Sequence, residues 1–184
     1  MYQVCPHWCQ SVRSFLKTAY PSELILGGVF GEFEDAFLRF FNKSDWHALL
    51  HNSGTNAIHA LYLAAGIKTG DEVIVPVYTF RATCSPLMQL GAVPVFVDYL
   101  PDGTIDPLTM VERISSKTKA VRVGHMWGIL CDMHRISSTC KDNSLILLED
   151  CSHAHEATLG DEIVGTFGNG AKPFTSTKQK NYSS

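Results

Sequence analysis

The sequence lacks several features that would assign it to a special class of protein. Its apolar runs fall well short of the roughly 18 consecutive apolar residues of a membrane-spanning helix. It has no block of Lys or Arg, and its net charge is -3, so we expect neither nucleic acid nor a membrane as its partner. The first residues, MYQVCPHWCQSVR, lack the basic-then-apolar order of a signal peptide. We therefore predict a cytoplasmic protein.

Closely spaced cysteines and a strong nucleotide motif are also scarce. Six cysteines are dispersed over 184 residues, which is typical of reduced thiols rather than of a disulfide scaffold. In CPHWC, Cys5, His7 and Cys9 could hold a metal, but no second ligand pair of similar spacing follows, so we predict no metal site and an N-terminal arm over residues 1–20. The segment GGVFGEF lacks a preceding strand and the Lys-Ser/Thr ending of a phosphate loop, and no GxGxxG follows a predicted strand.

The sequence does contain a regular alternation of apolar strands and helices. It is 45% hydrophobic and 18% charged, which allows a globular core. The runs VIV, VPVFVDY, KAVRVGHM and SLILLED predict strands, and GTNAIHALYLAAGI, RATCSPLMQLGA, PLTMVERI and MHRISSTCKDN predict helices between or before them. Strands that are apolar throughout and separated by helices predict an α/β fold, a three-layer α/β/α sandwich with a mainly parallel sheet.

Smaller patterns predict how individual helices begin and pack. Thr55 and Asn56 are candidates to cap the first of these helices, and Asp106 is a candidate to cap a helix whose first residue is Pro107. In EFEDAFLRFF an amphipathic helix is expected to pack Phe33, Phe37 and Phe40 or Phe41 against the core.

The candidate functional residues follow from the rule that parallel sheets bind ligands beyond the carboxyl ends of their strands. In HNSGTNA, the backbone N–H groups of Gly54, Thr55 and Asn56 could cradle a phosphate, although a plain helix cap explains the same residues. Phe80 could lie on an aromatic ring, or it could be a core residue.

A second group of candidates lies nearer the end of the chain. In LILLEDCSHAHEA, Glu149 and Asp150 end an apolar strand, and a carboxylate there needs a partner, either the backbone of the next turn or a cation. In PFTSTKQK, Lys178 could be a nucleophilic amine or an ordinary exposed lysine. A phosphate cradle, a stacking aromatic, a strand-end aspartate and a lysine together are what pyridoxal phosphate requires.

Four stretches carry a family resemblance in order and spacing. They are NSGTNAIHALYLAAGIKTGDEVIVPVYTFRAT, GAVPVFVDYLPDGTIDP, TKAVRVGHMWG and LLEDCSHAHEATLGDEIVGTFGNGA. Over about residues 20 to 180 the chain resembles the DegT/DnrJ/StrS family of pyridoxal-phosphate-dependent sugar aminotransferases. The resemblance implies the large domain of the aspartate-aminotransferase-like (type I) fold, and transfer of an amino group from glutamate or glutamine to a keto-sugar.

The resemblance also implies roles for individual residues. Gly54, Thr55 and Asn56 match the phosphate-binding turn, and Phe80 matches the residue stacked on the pyridine ring. Asp150 matches the partner of the ring nitrogen, and His153 falls near the cofactor's phenolic oxygen, with His155 behind it. Lys178 matches the catalytic lysine that carries the cofactor as a Schiff base.

The last residues depart from the family pattern. Pro173 stands where the family has a phosphate-binding serine, with Lys172 before it and Ser176 as a possible substitute. The six residues QKNYSS follow Lys178, in place of the glycine-rich turn that the family has there. We therefore expect residues 21–184 to be a partial large domain of a homodimeric enzyme, without the small C-terminal domain. A non-catalytic truncated relative and a pyridoxal-phosphate-dependent sugar dehydratase are the alternatives.

Overall fold

A computed structural model describes residues 2–3, 28–43 and 45–172. Cys5, His7 and Cys9 lie outside the described residues, as do Pro173, Ser176 and Lys178. The elements in chain order are β1 (Tyr2–Gln3), α1 (Gly28–Phe40), β2 (Ala48–Leu49), α2 (Gly54–Ala64), β3 (Glu72–Pro76), α3 (Ser85–Gln89), β4 (Val93–Val97), α4 (Pro107–Glu112), β5 (Thr118–Gly124), α5 (Met133–Asp142), β6 (Ile146–Asp150), β7 (Thr158–Leu159), β8 (Glu162–Ile163) and β9 (Gly170–Lys172).

A five-stranded sheet in the order β4-β3-β5-β6-β9 forms the centre of the fold. All four pairings between neighbouring strands are parallel. The apolar runs predicted as strands supply β3, β4, β5 and β6, so the predicted α/β class with a parallel sheet is confirmed. Two short antiparallel pairs, β1 with β2 and β7 with β8, lie outside this sheet.

Helices cover both faces of the sheet and bury a separate apolar layer on each. On one face, Ile58 and Tyr62 of α2 and Leu87 of α3 pack with Val73 and Val75 of β3. On the other face, α4 and α5 contribute the core residues Met110, Met133, Ile136 and Cys140. Successive side chains of a strand point to opposite faces, so β3, β5 and β6 each supply residues to both layers. The predicted three-layer sandwich is confirmed.

Helix α2 begins at Gly54, so its N-cap residue precedes the predicted candidates Thr55 and Asn56. Ser53, not Thr55 or Asn56, is the N-cap residue, and its hydroxyl accepts a hydrogen bond from the backbone N–H of Asn56. Thr55 and Asn56 lie within the first turn instead. The prediction for α4 is confirmed, because the Asp106 carboxylate accepts from the N–H of Leu108 and Pro107 is the first helical residue.

The helix predicted over RATCSPLMQLGA is broken in two. A 3₁₀ turn covers Arg81–Thr83, and α3 then runs only from Ser85 to Gln89. Pro86 lies at the start of α3, where its missing N–H costs nothing, but it cannot continue a helix that comes from the preceding turn.

Helix α1 exposes more of its aromatic face than the sequence predicts. Phe41 is buried, but Phe33 and Phe40 are about half exposed. The buried polar residue of α1 is Glu34, whose carboxylate accepts from the N–H of Leu50 and so attaches the helix to the chain beside β2. Across the described residues, no helix combines the length and apolar character that crossing a membrane requires.

Candidate functional site

The strand order reverses between β3 and β5, because the chain adds β4 on one side of β3 and then returns to add β5 on the other. In open α/β sheets, ligands bind in the crevice beyond the carboxyl ends of the strands at such a reversal. The turns after β3, β5 and β6 meet at this edge. Tyr78 and Phe80 follow β3, and Trp127 follows β5. Asp150 is the last residue of β6, and His153 follows it.

Asp150, the last residue of β6, has partners on both carboxylate oxygens. Its Oδ2 atom lies 2.9 Å from Nη2 of Arg122, whose side chain is almost fully buried, while Asp150 itself is 16% exposed. Its Oδ1 atom accepts from the backbone N–H of Ser152 at 3.1 Å and from the Ser152 hydroxyl. The two kinds of partner that the sequence left open, a local turn and a cation, are therefore both present.

Glu149 lies next to Asp150 in the chain but points to the opposite face of the sheet and has a different role. Its carboxylate is fully buried and accepts three backbone N–H bonds, from Gly165 at 2.8 Å, Phe167 at 2.9 Å and Gly168 at 2.8 Å. These donors belong to the sequence VGTFG. Glu149 thus anchors the loop that leads into β9.

A buried cluster of possible metal ligands surrounds Glu149. Donor atoms of His125, Glu149 and Cys151 all lie within 4.8 Å of one another, and Nε2 of His125 is 3.6 Å from Glu149 Oε2. The three N–H bonds already use most of the acceptor capacity of the carboxylate. Burial raises the pKa of the Cys151 thiol to about 11, which keeps it protonated near neutral pH. We therefore interpret the Glu149 carboxylate as a support for the loop before β9.

Trp127 connects the turns after β3, β5 and β6. Its indole N–H donates to the hydroxyl of Tyr78 at 2.8 Å, and its ring stacks on the imidazole of His153 with centroids 5.3 Å apart. Its backbone N–H donates to Nδ1 of His153 at 3.2 Å. A nitrogen that accepts a hydrogen bond carries no proton, so neutral His153 has its proton on Nε2. Trp127 adopts φ 58°, a conformation that is uncommon for a bulky residue.

Phe80 and the first residues of α2 lie at the same edge of the sheet, where they could contact a ligand. Phe80 is 64% exposed, so it is not the core residue that the alternative interpretation proposed. Gly54 and Thr55 begin α2, where the first N–H groups have no carbonyl one turn back, while the N–H of Asn56 is taken by Ser53. Tyr62 of α2 donates its hydroxyl to the carbonyl of Thr83 at 2.8 Å, which fixes the helix to the turn after Phe80.

The pKa of Tyr62 shows that α2 lies close to the charges of Arg122 and Asp150. Burial raises the pKa of Tyr62 well above its usual value, Arg122 lowers it in part, and Asp150 raises it. The helix, Arg122 and Asp150 therefore belong to one electrostatic environment on the same face of the sheet.

The other histidine of LILLEDCSHAHEA, His155, lies away from the strand ends. His155 lines an apolar pocket of about 230 Å³ together with Phe33, Phe37 and Val164, between α1 and the segment after β6. That pocket is mostly aromatic and aliphatic and does not include Asp150, so we place the chemistry at the strand ends instead.

Sequence reasoning placed Tyr78 at the carboxyl end of a strand, but it missed Arg122 and the contact between Tyr78 and Trp127. Arg122 had a signal, because an arginine between Val121 and Val123 in a buried strand requires an anionic partner. The contact between Tyr78 and Trp127 had none, since it joins residues that are 49 positions apart.

Known proteins resemble the chain in both sequence and structure. It is 37% identical over 143 residues to the GDP-perosamine synthase of Vibrio cholerae, an alignment that covers 77% of this chain and 38% of that protein. The structure superposes with a TM-score of 0.73 on an aminotransferase from Psychrobacter cryohalolentis, at 30% identity and with 89% of this chain and 41% of the other covered.

A second solved structure agrees. The Helicobacter pylori aminotransferase PseC, which is involved in the biosynthesis of pseudoaminic acid, superposes with a TM-score of 0.73 at 32% identity, covering 78% of this chain and 39% of its own. The chain thus spans less than half the length of these relatives. The fold is that of the pyridoxal-phosphate aminotransferases of type I.

The sequence model that describes the DegT/DnrJ/EryC1/StrS aminotransferase family matches residues 10–179 of the chain. These residues include every strand of the central sheet. This match covers far more than half of the chain, and the family uses pyridoxal phosphate. The chain belongs to the DegT/DnrJ/EryC1/StrS aminotransferase family.

Proposed function

We propose that the protein is a pyridoxal-phosphate-dependent aminotransferase that moves an amino group from glutamate or glutamine to a keto-sugar. The observation that carries the proposal is Asp150, a carboxylate at the carboxyl end of a central strand, at the edge where Phe80 and His153 also lie. Family membership supports the reaction class, and the relatives named above support a sugar as the acceptor.

The residues at this edge have the chemistry that the cofactor needs. The first N–H groups of α2, at Gly54 and Thr55, suit a phosphate, because a helix N-terminus favours an anion. Asn56 lies on the same turn, but its N–H is bonded to Ser53, so we assign it a side-chain role rather than a backbone one. Phe80 offers an exposed aromatic face, on which a planar ring can lie.

Three side chains handle protons and charge. When bound, pyridoxal phosphate supplies an electron sink for the carbanion formed at the donor's α carbon. Asp150 holds a proton at the ring nitrogen and thereby keeps the ring cationic. His153 presents Nε2–H as a hydrogen-bond donor, because Trp127 occupies its Nδ1 atom. We assign to Lys178 the amine that moves the proton between the donor and the cofactor.

The proposal also includes the location and the oligomeric state of the protein. We propose that it is a cytoplasmic enzyme and, as the family resemblance implies, a homodimer. The site of the chain would then be completed by segments that the relatives have and that these 184 residues do not match.

The test is the first half of the reaction. The protein expressed from its own gene, loaded with pyridoxal phosphate and given glutamate or glutamine without a keto-sugar, should release one equivalent of the corresponding oxo acid per bound cofactor. Lys178→Ala should abolish that release. A non-catalytic relative would release no oxo acid in this step. When a keto-sugar is then added, an aminotransferase should leave the amino group on the sugar, whereas a sugar dehydratase would remove water from the sugar and leave no amino group on it. Release of no oxo acid, or a sugar product without an amino group, would refute the proposal.

A further inference from the structure

Arg122 is a buried cation on the face of the sheet that α2 covers. Its side chain is 1% exposed, and it lies on the same face of β5 as Ala120, two residues earlier, which packs in the layer beneath α2. Burial of an arginine is costly unless the charge is paired and hydrogen-bonded. The position of Arg122 therefore depends on the groups that surround its guanidinium.

The guanidinium is directed at the carboxyl end of β6. Nη2 bonds Asp150 Oδ2 at 2.9 Å, and Nη1 donates to the backbone carbonyl of Glu149 at 3.1 Å. Nε has no hydrogen-bond partner within the part of the chain that the structure describes. Asp150 is thus the carboxylate that offsets this charge, and it is the same carboxylate that we assign to the ring nitrogen.

We propose that Arg122 is a positioning residue that orients the Asp150 carboxylate and competes with the cofactor's ring nitrogen for its charge. This inference rests on the proposed function. In the free protein, the ion pair with Arg122 holds the Asp150 carboxylate in one orientation. When a cationic ring nitrogen also approaches Asp150, the carboxylate serves two cations, and each cation weakens the attraction to the other.

Two opposite effects of removing the charge follow. Without the Arg122 cation, the free protein retains a partly buried carboxylate with less compensation, so it should lose stability. The bound cofactor would no longer share the Asp150 carboxylate with a second cation, so the affinity of the protein for the cofactor should rise. A purely structural arginine predicts something different, namely a loss of stability with unchanged or weaker cofactor binding.

The experiment compares two ligands in four proteins expressed in full from the gene. The ligands are pyridoxal phosphate and its deaza analogue, in which carbon replaces the ring nitrogen. The proteins are the wild type, Arg122→Gln, Arg122→Lys and Ser152→Ala. Arg122→Gln keeps a donor but removes the charge, Arg122→Lys keeps the charge, and Ser152→Ala removes an uncharged partner of the same carboxylate. The measurements are the Kd of each ligand and the thermal midpoint of the free protein.

Arg122→Gln should lower the thermal midpoint, and it should tighten pyridoxal phosphate binding about tenfold, equivalent to about 1.4 kcal/mol, without tightening binding of the analogue. Arg122→Lys should retain the wild-type ratio of the two affinities, and Ser152→Ala should not reproduce the tenfold gain. The proposal is overturned if Arg122→Gln leaves the ratio unchanged or weakens both ligands equally.

Two further outcomes are also decisive. If Arg122→Gln does not fold, the test uses the ratio of the two ligand affinities in Arg122→Lys. A tenfold change of that ratio despite the retained charge refutes the proposal. If the wild-type protein binds neither ligand, the proposed function fails and this inference fails with it. Binding by the wild type with no effect of the Arg122 charge refutes this inference alone.

Discussion

Trp127 donates its indole N–H to the hydroxyl of Tyr78 at 2.8 Å, across the carboxyl ends of β5 and β3. These are the two strands between which the strand order reverses. The bond therefore spans the crevice in which an open α/β sheet binds its ligand. Because Trp127 also stacks on His153, the bond fixes the imidazole relative to the turn that carries Phe80.

The backbone of Trp127 gives the first prediction. At φ 58° a β-branched side chain is strained, whereas glycine is not. Trp127→Gly and Trp127→Val both remove the indole, so their difference isolates the backbone conformation. Urea unfolding should show Trp127→Val to be less stable than Trp127→Gly by about 1 kcal/mol or more. Equal stabilities would contradict the left-handed conformation of this residue.

Glu149 gives the second prediction, because its carboxylate satisfies three buried N–H groups at once. Glu149→Ala would leave these groups without a partner, so the free energy of unfolding should fall by roughly 3 kcal/mol or more. Glu149→Gln should be milder but still destabilising, since its NH₂ group cannot accept. The exposed Glu162→Gln is the control and should change stability by less than about 0.5 kcal/mol. Similar values for Glu149→Ala and the control would show that the loop does not depend on this carboxylate.

Gly168 gives the third prediction. A Cβ atom there would collide with the carbonyl of Leu147, and relief would move the N–H of Gly168 away from Glu149. We expect Gly168→Ala to lower the urea midpoint clearly. At Gly124 the nearest contact of a Cβ atom would be an ordinary 3.8 Å, so Gly124→Ala is the matched substitution and should be tolerated better. The reverse order would contradict the packing of the loop on β6.

Much of the fold followed from local pattern, and less of the site did. The apolar runs of β3, β5 and β6 read as strands because both faces of a parallel sheet are buried. The Pro86 break and the exposure of Phe33 depend on how neighbouring segments pack, which periodicity does not encode. Asp150 could be found from its place after an apolar strand, whereas its contact with Arg122 joins residues 28 positions apart.

Two buried thiols give the fourth prediction. Burial raises the pKa of Cys140 to about 12 and that of Cys151 to about 11, from an ordinary value of 9.0. In the unfolded chain these thiols ionise at lower pH, so the unfolded state binds fewer protons between about pH 9 and 11, and stability should fall as pH rises through that window. Thiol alkylation at pH 8 should label both residues much faster in denaturant than in the native protein. Equally fast native labelling of Cys151 would contradict its burial.

The most direct test of the account is whether Lys178 and Asp150 serve one bound cofactor. The protein expressed from its own gene should be incubated with pyridoxal phosphate, treated with borohydride, and digested for peptide mass spectrometry, alongside a titration of cofactor affinity. We predict one cofactor fixed at Lys178, none in Lys178→Ala, and at least about tenfold weaker binding in Asp150→Asn, because a charge-assisted hydrogen bond becomes a neutral one. The exposed Asp161→Asn should bind like the wild type. Cofactor attached to other lysines instead, or wild-type affinity in Asp150→Asn, would contradict the account.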